Sequence, residues 1–211
     1  MTRAELIQAI TRAEIRALPV EKRAESLGSI WALEPGDPEW KLLPRELRPL
    51  FRTADSPRDA SDERYVPLLA FRVEGRYRGV KNGYLLQRAR ELGLPVDSLE
   101  GMPEPMTACL CCGYLSLDER GGHGICRVCF WEDDGQRRLD VQSHPNRMTL
   151  RQARANFAAV GACSPKSVDS VLPRPGELYF RSERDEALSD TEGRTDDPFT
   201  AAVRLLEESS K

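Results

Sequence analysis

The stretch CLCCGYLSLDERGGHGICRVC, residues 109–129, decides how this chain is read. Two residues separate Cys109 from Cys112 and two separate Cys126 from Cys129; thirteen lie between the pairs, among them Gly113, Gly121, Gly122 and Gly124. Thiols three positions apart on a tight turn can both face one ion, and glycines let the backbone close that turn. Two such turns complete a tetrahedron, so the spacing predicts a structural zinc site on Cys109, Cys112, Cys126 and Cys129, with no coordination position left open for water or substrate. The intervening GYLSLDERGGHGI is expected to fold as a hairpin with its turn at ERGGHG. Cys111 is read as a spare thiol, since pairing it with Cys109 would leave a single residue between ligands, and Cys163 as a lone packed cysteine. His123 and His144 are read as surface histidines, because a complete sulfur set is already present.

Outside this stretch the pattern is helical. Thr2 and Glu5 form a capping box ahead of Leu6, Ile7, Ile10, Ala13 and Ala17, which predicts a helix over about 3–17. Pro19 ends it, and Val20, Ala24, Leu27, Ile30 and Trp31 carry a second stripe, for which an antiparallel pair is the simplest arrangement. A brief turn follows at Arg45–Phe51, then a polar loop at Thr53–Arg64. Val66–Val73 is apolar enough to be strand or helix, and Lys81–Leu92 is a helix closed by Gly93 and Pro95. Thr149 and Gln152 cap a helix that runs to Gly161, and its face of Leu150, Ala153 and Phe157 is expected to pack on the metal module. From about Arg181 the chain is acidic and polar, with one amphipathic turn or two at Pro198–Glu208.

The expected class is therefore α+β. A helical region, 1–100, precedes a small zinc-ribbon hairpin module with a packed helix, 105–165, and an extended, partly disordered tail, 166–211, ends the chain. At 211 residues, such a division leaves room for a core that does not depend on the metal. The formal net charge of -3, from 31 basic and 34 acidic residues, gives no global field toward nucleic acid or anionic lipid. No apolar run is long enough to span a bilayer, and charges interrupt the region where a signal peptide would need its apolar core. A cytoplasmic location is expected, where clustered thiols hold a metal in preference to disulfides.

The run CLCCGYLSLDERGGHGICRVCFWEDDGQ, followed by PNRMTLRQARANFAAVGAC, resembles the bacterial cysteine-rich CPCC family, and the earlier YRGVKNGYL is similar to a segment that precedes the domain in longer members. By that resemblance Cys109, Cys111, Cys112, Cys126 and Cys129 occupy the family's cysteine positions. Three residues depart from its pattern: Leu110 and Arg127 stand where it has prolines, and Arg147 where it commonly has histidine. No activity comes with the resemblance.

Catalysis is not expected, because two histidines outside any triad-like pattern and a closed metal site provide no acid, base or nucleophile in a cleft. The leading expectation is a protein-interaction module, of immunity or regulatory type, with Trp131, Glu132, Asp133 and Asp134 facing a basic partner. The competing reading of that stretch is structural: Trp131 packs on the module, and its carboxylates bind backbone amides or pair with Arg120, Arg137 or Arg138. The alternative partner is nucleic acid, through Arg72, Arg76, Arg78, Lys81, Arg88 and Arg90 with Tyr77 and Tyr84 among them.

Overall fold

The computed structural model describes residues 1–52, 57 and 59–183. Part of the Thr53–Arg64 loop, the rest of the tail and the Pro198–Glu208 turn lie outside them.

The first helix, α1 (Arg3–Ala17), begins as its capping box dictates: Thr2 accepts from the Glu5 backbone amide, and the Glu5 side chain accepts from the Thr2 amide. Its apolar stripe, Leu6, Ile7, Ile10 and Ile15, is buried. Helix α2 (Val20–Trp31) buries Leu27 and Ile30, and the short α3 (Pro38–Leu42) leads into a 3₁₀ segment, Arg45–Arg52. The ambiguous apolar run resolves as helix α4 (Val66–Gly75), with proline near its start where no amide partner is needed. Helix α5 (Asn82–Glu91) follows, and Gly93 at φ +68 lets the chain turn away.

Packing differs from the simple pair expected of α1 and α2. Both lie chiefly against α4, and α1 also packs on α5. The reason is composition, because Leu68, Leu69 and Val73 make α4 the most apolar of the helices and it takes the centre. Residues 94–106 then return along α1, where Arg3 donates its amide to the Glu100 carbonyl at 2.8 Å. Arg3 itself is buried; its guanidinium reaches Glu104, the Asn82 side chain and the Tyr77 carbonyl. Burial acts to raise the Glu104 pKa, but the hydrogen bond from Arg3 and the Gly79 amide hold it below the usual carboxylate value.

The cysteine module contains two small antiparallel sheets. Strands β1 (Thr107–Ala108) and β2 (Leu115–Leu117) pair with an irregularity at Thr107/Ala108, and β3 (Gln142–Ser143) pairs with β4 (Met148–Thr149). Strand β4 runs straight into α6 (Leu150–Val160), whose capping box and left-handed Gly161 stop match the sequence reading. Leu150 and Ala153 are fully buried and Phe157 is partly so. One apolar cluster runs without a break from the helices into the cysteines.

The chain turns at Arg120–Gly121, within the predicted ERGGHG turn, and brings Ser116 to Cys126, but no strand ladder among the described residues closes over it. Each cysteine pair makes its own reversal: β1 and β2 flank the first, and Ile125 bridges Glu132 across the second. Nor does the stretch from residue 166 begin a loose tail. A 3₁₀ turn at Pro165–Ser170 and a short α7 (Pro175–Leu178) carry it back over the molecule. Tyr179 is buried, Leu178 accepts from the Lys81 amide, Phe180 accepts from Leu115, and Ser182 donates to Gly113. A backbone with that many partners is held as far as Glu183. No described helix is long and apolar enough to cross a membrane.

Candidate metal centre

The two cysteine turns are built alike. In the first, the Gly113 amide donates to the Cys109 carbonyl at 2.8 Å and the Cys109 amide donates to Tyr114 at 2.8 Å. In the second, the Phe130 amide donates to Cys126 at 2.7 Å and the Cys126 amide donates to Trp131 at 2.8 Å. Both close with a left-handed residue, Gly113 at φ +77 and Phe130 at φ +68. This doubled geometry brings the four sulfurs together.

Cys109, Cys112, Cys126 and Cys129 are all buried, and their sulfurs lie within 4.8 Å of one another. Cys109 Sγ is 3.6 Å from Cys129 Sγ, and Cys112 Sγ is 3.6 Å from Cys126 Sγ. A dication held tetrahedrally by four thiolates at ~2.3 Å needs sulfurs ~3.8 Å apart, so the set fits one metal ion. All six cysteines are free thiols. Burial pushes the Cys109 and Cys129 thiols up. At Cys112 the hydrogen bond from Cys109 acts downward, but contact with Cys126 and Cys129 outweighs it. Cys126 goes the other way: burial opposes its ionisation, yet hydrogen bonds from the other three thiols and from the Ser116 hydroxyl, 3.1 Å away, hold it well below the ordinary thiol value. A bound dication would favour the ionised form of all four thiols.

Cys111 and Cys163 are also buried but stand outside the four-sulfur group. Burial pushes the Cys163 thiol up to about 12, with the Cys111 sulfur adding to the effect. His123 is exposed in a left-handed conformation with its Nδ1 2.9 Å from Glu132, and His144 is exposed. Neither belongs to the group of candidate ligands. Arg147 is exposed as well, at the left-handed turn between β3 and β4.

The structure ties the centre down from several sides. Arg154 of α6 donates to the Leu110 carbonyl in the first turn at 2.9 Å, and the Cys163 amide donates to Cys129 in the second at 2.6 Å. Arg181 Nε donates to the Cys112 carbonyl at 3.1 Å. Arg127 Nη1 reaches the Gly75 carbonyl at the end of α4, 2.8 Å away, and so docks the second turn on the helical half. That bond depends on a residue that departs from the resembled pattern. Nothing in the spacing of residues signals it, because the partner is a backbone carbonyl fifty-two positions away.

The residues proposed for interaction separate into two groups. Trp131 and Asp133 are fully buried. Asp133 takes Arg120 Nη1 at 2.8 Å and the Gly121 amide at 3.2 Å, while Arg120 Nη2 donates to Ala108, so this ion pair clasps the loop between the cysteine turns. Glu132 pairs with His123 and Asp134 accepts from the Gln136 amide; both are only half-buried. The basic set is neutralised within the fold: Arg72 pairs with Glu39, Arg76 with Glu14, Arg78 with Asp118, and Arg88 with Glu14 and Glu91. Lys81 donates to the Gly176 carbonyl and stacks over Phe180, Tyr77 is buried with its hydroxyl on Glu14, and Arg90 is exposed.

No curated protein and no solved structure matches the chain. A family model does match, from the start of β1 to the middle of α7: residues 107–177, the segment that holds both cysteine turns and the helix strapped across them, are similar to the family described as cysteine-rich CPCC.

Proposed function

We propose that this protein is a non-enzymatic zinc-binding module that acts by binding another protein in a reducing compartment. The observation that carries the reading is the closed set of four buried sulfurs. Four thiolates fill a tetrahedral shell, so an ion there has no position for water or substrate and serves to cross-link the two turns. Zinc is the metal that a four-sulfur tetrahedron favours in the absence of a cluster. Its role would be to neutralise the thiolates and fix the loop between them as one rigid wall of the molecule. Six unpaired cysteines support a reducing environment.

What supports an interaction role is the surface that such a wall would present. Arg120 and Arg127 are spent on the module's own loop and on the helical half, so shape and apolar surface carry much of what the module side offers a partner. The immunity-type version, with a row of carboxylates facing a basic site, loses its centre because Asp133 is buried against Arg120. The nucleic-acid alternative would need Arg72, Arg76, Arg78 and Arg88 to leave their acidic partners.

Metal analysis of protein purified without added zinc tests the first half of the reading: one zinc per chain is expected, and iron with visible absorbance would overturn it. For the second half, crosslinking in the native cells followed by affinity capture should give a defined protein partner. Capture of nucleic acid alone, in a salt-sensitive manner, would replace this reading with the alternative.

A further inference from the structure

A cleft of about 940 Å³ lies between the helical half and the cysteine module. Ile7 of α1, Leu42 of α3 and Phe71 of α4 line one side, and the segment from Ser116 to Ile125 between the two cysteine turns lines the other. That volume is at the upper end of ordinary binding sites, and the apolar surface continues onto the rim, where Ile125 is 51% and Leu42 39% exposed.

The charges in the cleft are mostly satisfied. Arg78 pairs with Asp118 and Lys41 with Glu119, each across the gap, while Arg72 pairs with Glu39 on one side and Glu104 is taken by Arg3. Two groups are left over. The Glu74 carboxylate, half-buried in the wall, accepts no hydrogen bond and joins no ion pair among the described residues; Arg12 is the one cation that acts on it. Four positions on, the Nε of Arg78 is a buried donor with no acceptor. Of the six carboxylates in the lining, Glu74 alone has neither an ion pair nor a hydrogen bond among the described residues, and it is there that the wall favours a cation. A half-buried carboxylate without an ionic partner, set beside apolar walls, offers a partner's cation a charge-assisted contact.

We infer that this cleft is the docking site for a short segment of a partner protein that presents an apolar side chain beside a lysine or arginine. The cation meets Glu74, and the apolar group lies between the walls that end in Leu42 and Ile125. A protein segment suits the site better than a small amine because it alone would cover the apolar rim as well as the interior. The inference rests on the interaction-module reading and names its surface. It also links that surface to the metal centre: Ser116, whose hydroxyl lies 3.1 Å from Cys126 Sγ, belongs to the module wall.

The test is selection of a random peptide library displayed on phage against the zinc-loaded full chain. Selected peptides are expected to combine apolar residues with lysine or arginine. Their binding, read by fluorescence anisotropy, should weaken at least tenfold in Glu74→Gln and in Ile125→Asp, two changes on opposite walls at positions exposed enough to leave the fold intact by far-UV circular dichroism. Selection against Glu74→Lys should replace the basic residues with acidic ones. Peptides with no basic bias, or with affinity indifferent to both variants, would overturn the inference, as would a Glu74-dependent fit of n-octylamine with no peptide enriched. A native partner that binds wild type and both variants alike would overturn the cleft while leaving the interaction reading in place; no partner and no enriched peptide would end both.

Discussion

Cys111 and Cys112 are adjacent thiols and both are buried, yet only Cys112 points its sulfur into the group of four. The difference is the turn: the Gly113 amide closes onto Cys109 and brings the third residue after it, not the second, toward the second cysteine pair. Cys112→Ser and Cys126→Ser are therefore expected to lose the metal, while Cys111→Ala and Cys163→Ala keep one ion per chain, as read by elemental analysis. The left-handed closing residues make a second contrast. At Gly113 an added Cβ would meet strained backbone at φ +77 and Arg181 Nε at 3.3 Å, so Gly113→Ala should cost about 1–2 kcal/mol in chemical denaturation. Phe130 already bears that strain at φ +68 with its ring 39% exposed. Sequence spacing could identify the four cysteines that converge, because a local turn sets which sulfurs face one another. It could not say that a phenylalanine would take the place of glycine in the second turn.

Among the elements, the loop between the cysteine turns depends on a single buried charge. Asp133 receives Arg120 and the Gly121 amide, and Arg120 in turn holds the Ala108 carbonyl. Breaking a buried pair by removing one partner leaves the other charge uncompensated, at a cost of about 3 kcal/mol. Asp133→Ala should thus destabilise the module by that amount and raise amide exchange at Gly121 and its neighbours, a change mass spectrometry would locate. The helices were the most legible elements, because capping boxes and apolar spacing act within a few residues: α1 and α6 start at the caps the sequence marks. The hairpins were not. Their pairing joins Thr107 to Leu117 and Ile125 to Glu132 around the metal turns, and such short strands carry no alternation to be read.

At the scale of the whole molecule, the helical half and the module share one apolar cluster but differ in what holds them. The helices bury aliphatic side chains against α4, whereas the module closes around four sulfurs. Chelation should accordingly remove hydrogen-exchange protection from residues 107–135 while α1 and α4 keep most of theirs. Equal loss in both parts would show that the metal supports the entire fold. Acid sensitivity has a separate source at the seam. With its pKa lowered from 4.5 by Arg3, Glu104 adds stability that is full above 4.5 and is lost as pH falls through the lower folded value. Glu104→Gln should flatten the stability profile in that window below 4.5 and leave a constant deficit above it, measured by urea titration at each pH. The sequence by itself determined which four cysteines could share an ion and where α1 and α6 start and what they bury, because each follows from chemistry spaced a few residues apart. Only the tertiary structure decided that the arginines of 72–88 are neutralised, that Trp131 and Asp133 lie inside, that 166–183 returns to pack, and that a cleft opens between the halves. Those depend on partners far apart in the chain, and a residue's identity does not specify which distant charge or carbonyl the fold will bring to it.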